Sequence, residues 1–249
     1  MSRLRITIAI VLGIAATHLH AAHPLLTEDT GTQGAGNFQI EGSYDTLREH
    51  PDPELTRADL VVGVLSYGLA ATLDLQIGYL YLRHSHVMGG TVEGGGDAIV
   101  GLKWRFLERD GFSMGLKPDV TIPSGDDEQG LGQGRKTYGA ALILSSEAGD
   151  WAFHVHLGTR RNPNTVGERS RLYHVSAAAL YRVAEKLRLA LDAAVISQPD
   201  PALSSDLAFL TAGLIYSPAK NVDLDFGWRA ALNDAAADRT LGVGITVRW

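Results

Sequence analysis

From residue 37 to the C-terminus, apolar and polar positions alternate with a period of two in segment after segment, the pattern of strands with one apolar face. In LGVGITVRW, Leu241, Val243, Ile245, Val247 and Trp249 share one face, with Gly242, Gly244, Thr246 and Arg248 opposite. The preceding segment sets Val222, Leu224, Phe226 and Trp228 against Asp223, Asp225, Gly227 and Arg229. The same template predicts about twelve strands, near 37–46, 57–67, 71–83, 97–107, 112–122, 136–146, 150–160, 171–183, 186–196, 206–216, 221–232 and 239–249. Most are about ten residues or slightly longer, the length a tilted transmembrane strand needs. The stretch 176–196 is rich in helix formers. A helix would set Leu187 and Leu189 about 200° apart, however, whereas a strand aligns Leu187, Leu189 and Leu191 opposite Lys186, Arg188 and Asp192.

The connections alternate in length. Short turns carry Gly68-Leu69-Ala70, Glu108-Arg109-Asp110-Gly111, Glu147-Ala148-Gly149 and Ala184-Glu185, whereas longer polar loops cover 48–56, 84–96 and 124–135. An antiparallel meander with short turns at one end and long loops at the other is the layout of an outer-membrane barrel. An even strand count leaves both ends of the meander on the short-turn, periplasmic side. A soluble sandwich would share the period-two pattern. Three features favour the barrel: aromatics near strand ends on the apolar face (Tyr67, Trp104, Phe106, Trp151, Tyr181, Tyr216, Trp249), a charged opposite face, and a terminal aromatic closing an alternating strand.

Composition narrows the class further. Among 249 residues there is no cysteine, so neither a disulfide framework nor a thiolate metal site exists. The first residues combine Arg3 and Arg5, an apolar run from Ile6 to Ala16, and small residues at Ala21 and Ala22. This is the layout of a signal peptide over 1–22, cleaved after Ala21 or Ala22, and the run is too short for a membrane helix. The chain then divides into a periplasmic N-terminal segment, 23–36, and a barrel, 37–249. Formal charge is −6, and −8 once the two leader arginines are removed, so nucleic acid is not an expected partner.

The inward phase supplies the candidate chemistry. The 108–111 turn sets Lys103 opposite Lys117, with Arg105 beside them, a like-charge cluster that needs acids or an anion. Asp119, Asp74 and Glu41 are inward candidates to offset it. On the far wall Asp223 and Asp225 face Arg248 and Arg229, and Arg188 and Asp192 share the inward phase of 186–196. Such a ladder sets up a transverse field that acts on polar solutes. Leu80, Leu82, Leu172 and Ile196 are inward too, an expected apolar constriction near the mouth.

Three motifs suggest other chemistry. His154 and His156 share a strand face near His174, a set able to bind Zn²⁺ or Cu²⁺, although lumen histidines more often belong to a hydrogen-bonded wall. His174 and Ser176 resemble the His-x-Ser pair of outer-membrane phospholipase A, yet their phase points them inward rather than toward lipid. GLGQGRKT, 130–137, resembles a phosphate-binding loop, but Arg135 separates the lysine from the last glycine. A flexible acidic loop beside Asp126, Asp127 and Glu128 is the expectation there.

The N-terminal residues His23-Pro24-Leu25, Thr27-Glu28-Asp29-Thr30, Thr32-Gln33-Gly34, Gly36 and Gln39-Ile40-Glu41 resemble the opening of a family of outer-membrane transporters named for the meta-cleavage (MetA) pathway of phenol degradation. The resemblance implies an outer-membrane channel for small molecules. The expected protein is therefore a monomeric, all-β, antiparallel transmembrane barrel of a Gram-negative outer membrane. Small solutes, including aromatic or amphipathic compounds, would pass it passively, with no enzymatic step and no cofactor. Expected partners are outer-membrane lipid, the insertion machinery that reads Trp249, and the solute. A lipid-acting barrel enzyme and a structural or adhesion barrel are the alternatives.

Overall fold

The structure is a computed structural model and describes residues 23–48, 55–86, 90–236 and 239–249. The expected signal peptide lies outside the described residues, as does part of the first long loop. Thirteen strand segments follow one another: β1 (Phe38–Arg48), β2 (Leu55–Ala70), β3 (Leu73–His86), β4 (Gly90–Gly95), β5 (Ala98–Arg109), β6 (Phe112–Ile122) and β7 (Thr137–Ala148). Then come β8 (Trp151–Arg161), β9 (Arg171–Ala184), β10 (Leu187–Ile196), β11 (Leu207–Ala219), β12 (Val222–Ala231) and β13 (Arg239–Arg248). Consecutive strands pair antiparallel, except that β4 and β5 both pair with β3, and β1 pairs with β13 from Gln39↔Arg248 to Arg48↔Arg239, which closes the sheet. Closure leaves no free edge around the ring, the only way a sheet satisfies its backbone in a membrane.

The segments β4 and β5 are one barrel strand, so the barrel has twelve. Both run antiparallel to β3, which pairs Tyr81 with Gly95 and Gly78 with Ile99. Three steps on β3 thus oppose four on its partner, a one-residue bulge at Gly96-Asp97. The sequence reading assigned 84–96 to a longer polar loop, whereas Gly90–Gly95 is strand. In the structure a Cβ at Gly96 would stand 2.5 Å from Leu80 and one at Gly94 2.7 Å from Leu131, so these positions are bare where side chains lean over a strand.

The five short turns gather at one end, at 71–72, 110–111, 149–150, 185–186 and 220–221. Asp110 and Gly111, with φ of 51° and 78°, have the two positive dihedrals that tight hairpins of this twist require. One turn is displaced from expectation: Gly68-Leu69-Ala70 belongs to β2, and the chain reverses at 71–72. Gly68 is needed for approach instead, since a Cβ there would lie 1.8 Å from the Gly34 carbonyl oxygen. Strand phase follows the alternation throughout: Val243, Ile245, Leu224, Phe226, Leu189 and Leu191 are exposed on the outer wall. Near the short-turn end an aromatic girdle forms, with Phe38 stacked on Trp249 at 5.8 Å and Trp151 at 4.7 Å from Tyr181.

Candidate functional site: a lumen occupied by the N-terminal segment

Residues 23–36 run inside the barrel. The sequence reading set this segment apart as periplasmic and gave it no place in the lumen. Its chain enters at the short-turn end, where Gly36 N–H donates to the Gly68 carbonyl at 2.8 Å and Gln33 N–H donates to Asp74 at 3.0 Å. Higher up, Thr30 N–H donates to Ser145 at 3.1 Å and its hydroxyl meets that of Ser113 at 2.6 Å. The Leu26 and Thr27 N–H groups both donate to Asp192, at 3.0 and 2.8 Å. Without secondary structure of its own, the segment borrows acceptors from β3, β7 and β10, as buried backbone must.

The wall is hollowed to receive it. Gly213, Gly227 and Gly242 align directly across β11, β12 and β13. A Cβ would stand 2.7 Å from Pro24 at Gly213, 2.5 Å from Pro24 at Gly227 and 2.5 Å from His23 at Gly242. The His23 imidazole is hydrogen-bonded to Asp225 and lies 3.5 Å from Asp45. Sequence reasoning missed this row; three glycines on the inward phase at one register were the available signal.

The predicted lysine pair is real, and its counterion is Glu28. Lys103 Nζ lies 2.8 Å from one Glu28 oxygen and 3.2 Å from Asp29, and Lys117 pairs with the other Glu28 oxygen. All but Asp29, which is half-exposed, are buried. Two ammonium groups opposite each other are costly unless an anion bridges them. The three acids expected to offset them make hydrogen bonds to other groups, Asp119 accepting from Arg160 at 2.6 Å, Asp74 from Gln33 and Glu41 from Gln39 at 2.6 Å, while Glu41 and Asp74 remain close enough to both lysines to couple with them electrostatically. Arg105 turns to the rim, 3.3 Å from Glu108. On the far wall Asp223 holds Arg248 at 2.9 Å and Arg188 at 3.4 Å, while Asp225 is taken by His23. Buried Arg229 donates to Thr211 at 3.2 Å and to the Pro24 carbonyl at 3.5 Å.

The lumen divides into two unlike halves. A cavity of about 530 Å³ lies on the short-turn side, lined by Glu41, Lys103, Arg188, Asp223 and Arg248 together with segment residues. Toward the long loops one side of the lumen is apolar, where Leu60, Leu80, Leu82, Ile196 and Phe209 cluster with Leu26 of the segment and Leu131 of the loop 123–136, while Arg160 joins Asp119, Thr121 and Thr137 in a polar group on the other. Leu80, Leu82 and Ile196, named for an apolar constriction, thus meet in one buried cluster. Leu172, the fourth residue named, is half-buried and lines a separate cavity of about 60 Å³ with His156 and His174.

Loop 123–136, expected as a flexible acidic loop, is tied to the bulge. Both Asp97 oxygens accept backbone N–H groups, from Ser124 at 3.1 Å, Gly125 at 3.0 Å and Gln133 at 2.8 Å, which carries Leu131 into the mouth. Asp126 caps its own turn, and hydrogen bonds from Gln129 hold its carboxyl below the usual range. In the loop 162–170, burial pushes the Glu168 carboxyl up despite hydrogen bonds from Asn162 and Gln133.

The histidines divide in the same way. His156 and His174 have ring centroids 4.5 Å apart, whereas His154 is hydrogen-bonded to Ser145 at 2.8 Å. Among the described residues no group of three or more His, Asp or Glu side chains is placed to hold a metal ion. His174 and Ser176 are buried on the lumen side, and among the described residues neither His174 Nε2 nor the Ser176 hydroxyl has a hydrogen-bond partner.

A family model described as "Putative MetA-pathway of phenol degradation" matches residues 23–249, lumen segment and strands together. The chain belongs to that family. Comparison with curated proteins gave no match. Among solved structures, this MetA-pathway family member is similar to the COG4313 outer membrane channel from Pseudomonas putida F1, with 15% identity and a TM-score of 0.65 over 89% of this chain and 98% of that one. The NanC porin gives 10% identity and a TM-score of 0.60, covering 84% and 98% of the two chains, and the KdgM porin 10% and 0.59 over the same shares. At these identities the likeness is one of fold: the family member is a twelve-stranded barrel similar in fold to these outer-membrane porins.

Proposed function

We propose that this chain is a Gram-negative outer-membrane channel for passive passage of small solutes, with the 23–36 segment as a built-in restriction of its lumen. The observation that carries the reading is the pairing of an apolar outer wall with a charged, cavity-bearing interior. Such an inversion suits a barrel in lipid and not a soluble sandwich. A solute crossing from the long-loop side would meet the Leu60–Leu82–Phe209 cluster first and the charged cavity second, an order suited to aromatic or amphipathic compounds bearing one polar group. Selectivity is assigned to Lys103, Lys117 and Arg105 on one side and to Glu41, Asp74, Asp119, Asp192, Asp223, Asp225, Arg188, Arg229 and Arg248 around the rest. The reading is transport without covalent chemistry, because the His174 and Ser176 side chains face the lumen and not the lipid. The chain is read as a monomer whose Trp249 serves recognition by the insertion machinery.

The test is single-channel recording in planar bilayers with the mature chain and with a variant lacking residues 23–36. The expected result is a small conductance in the former and a several-fold larger one in the latter. Absence of conductance from both, with heat-modifiable folded protein inserted, would overturn the reading.

A further inference from the structure

Outward-facing arginines at the long-loop end meet as like-charged pairs. Arg48 of β1 lies directly across from Arg239 of β13, and Arg161 of β8 directly across from Arg171 of β9. All four are exposed and continue the outward phase of Tyr44, Leu241, Leu157 and Tyr173. None of the four side chains has a hydrogen bond or a carboxylate partner among the described residues. At the short-turn end the exposed arginines are paired: Arg109 lies 3.0 Å from Asp110 and Arg182 3.6 Å from Asp150. Directly opposed like charges destabilise a sheet unless an anion lies between them. Two such pairs occur on well-separated parts of the wall, β13/β1 and β8/β9, and both lie at the same end.

We propose that the Arg48–Arg239 and Arg161–Arg171 pairs are binding sites for the phosphate groups of a phosphorylated glycolipid in the outer leaflet. Directly opposed strand residues have Cα atoms about 4.5–5.5 Å apart, which lets two guanidinium forks hold one phosphate in charge-assisted hydrogen bonds. An amphiphile fits better than a free ion because the wall beneath each pair is apolar. Leu241, Val243 and Tyr44 lie below the first pair; Leu157, Val175 and Tyr173 lie below the second. Headgroup and acyl chains would thus be held by adjoining surfaces of one strand face. Arg57, 2.7 Å from Asp59, and Arg83, 3.4 Å from Glu93, extend the first patch along β2 and β3. The exposed Lys136 extends the second, one strand position above Tyr138.

The inference rests on the outer-membrane reading and can fail separately from it. The experiment follows heat unfolding of the full mature chain in detergent with added diphosphoryl lipid A, dephosphorylated lipid A or inorganic phosphate. The expected result is a midpoint raised by several degrees with the diphosphoryl lipid, little changed with the dephosphorylated lipid, and unchanged with inorganic phosphate. Replacing all four arginines by Gln should abolish the shift, and replacing them by Lys should keep most of it. A shift equal for both lipids, a shift retained by the Gln variant, or an equal response to inorganic phosphate would overturn the proposal. Conductance, measured on the same Gln variant, should equal that of the native chain. A lost lipid response with intact conductance in the native chain thus counts against the lipid sites alone.

Discussion

Glu28 holds the lumen's charge arrangement in one side chain. Its two oxygens serve Lys103 and Lys117, and Asp29 adds a second contact to Lys103 alone. Removing one partner of a buried ionic group costs about 3–5 kcal/mol, because the remaining charge is left without compensation. Glu28→Gln should therefore lower the unfolding midpoint and turn the pore toward anions, read as a shift in reversal potential across a salt gradient. Lys103→Glu with Lys117→Glu would confront Glu28 with like charges; it should displace the segment, raise conductance and favour cations. A different sensitivity belongs to Glu168, whose carboxyl is pushed above the ordinary range by burial. With the folded-state value above the unfolded one, this group favours the folded loop at low pH, and that contribution is lost as pH rises through the folded value. Hydrogen-exchange protection factors over 162–170 should be lower at about pH 8 than at about pH 4, and Glu168→Gln should flatten the difference.

The seam is the vulnerable element. At the short-turn end of the β1–β13 pairing, Phe38 and Trp249 exchange two backbone hydrogen bonds, 2.8 and 3.0 Å, and their rings stack. Trp249→Asp would place a charge in the aromatic girdle at the point of closure, and assembled, heat-modifiable protein in the outer-membrane fraction should drop several-fold. Strand boundaries were legible to within a few residues because every strand has one wet and one apolar face, and period two records that directly. The Gly94–Gly96 stretch was not, since glycine leaves no face to read. The segment 23–36 was illegible for a related reason: it has no periodicity, and its partners Asp192, Asp74, Ser145 and Lys103 are spread through the chain. Alternation put Lys103 opposite Lys117 but had no means of naming Glu28, which neither neighbouring strand contains.

For the whole molecule, loop length and charge give a direction. Long connections carrying Leu131 and Glu168 lie at one end, and five two-residue turns lie at the other. A protease site inserted at Asp126 should be cut on intact cells while one at Gly149 is protected; the reverse pattern would invert the barrel. The glycine row across β11, β12 and β13 reaches beyond mechanics into descent. Pro24 is within 2.7 Å of where side chains would begin at Gly213 and Gly227, and His23 is similarly close at Gly242. Wall and segment therefore cannot drift independently: a lineage that enlarged any of these glycines would have to shorten, re-route or discard the first residues of its segment. The history of the pore's wall should be written in the variation of residues two hundred positions away.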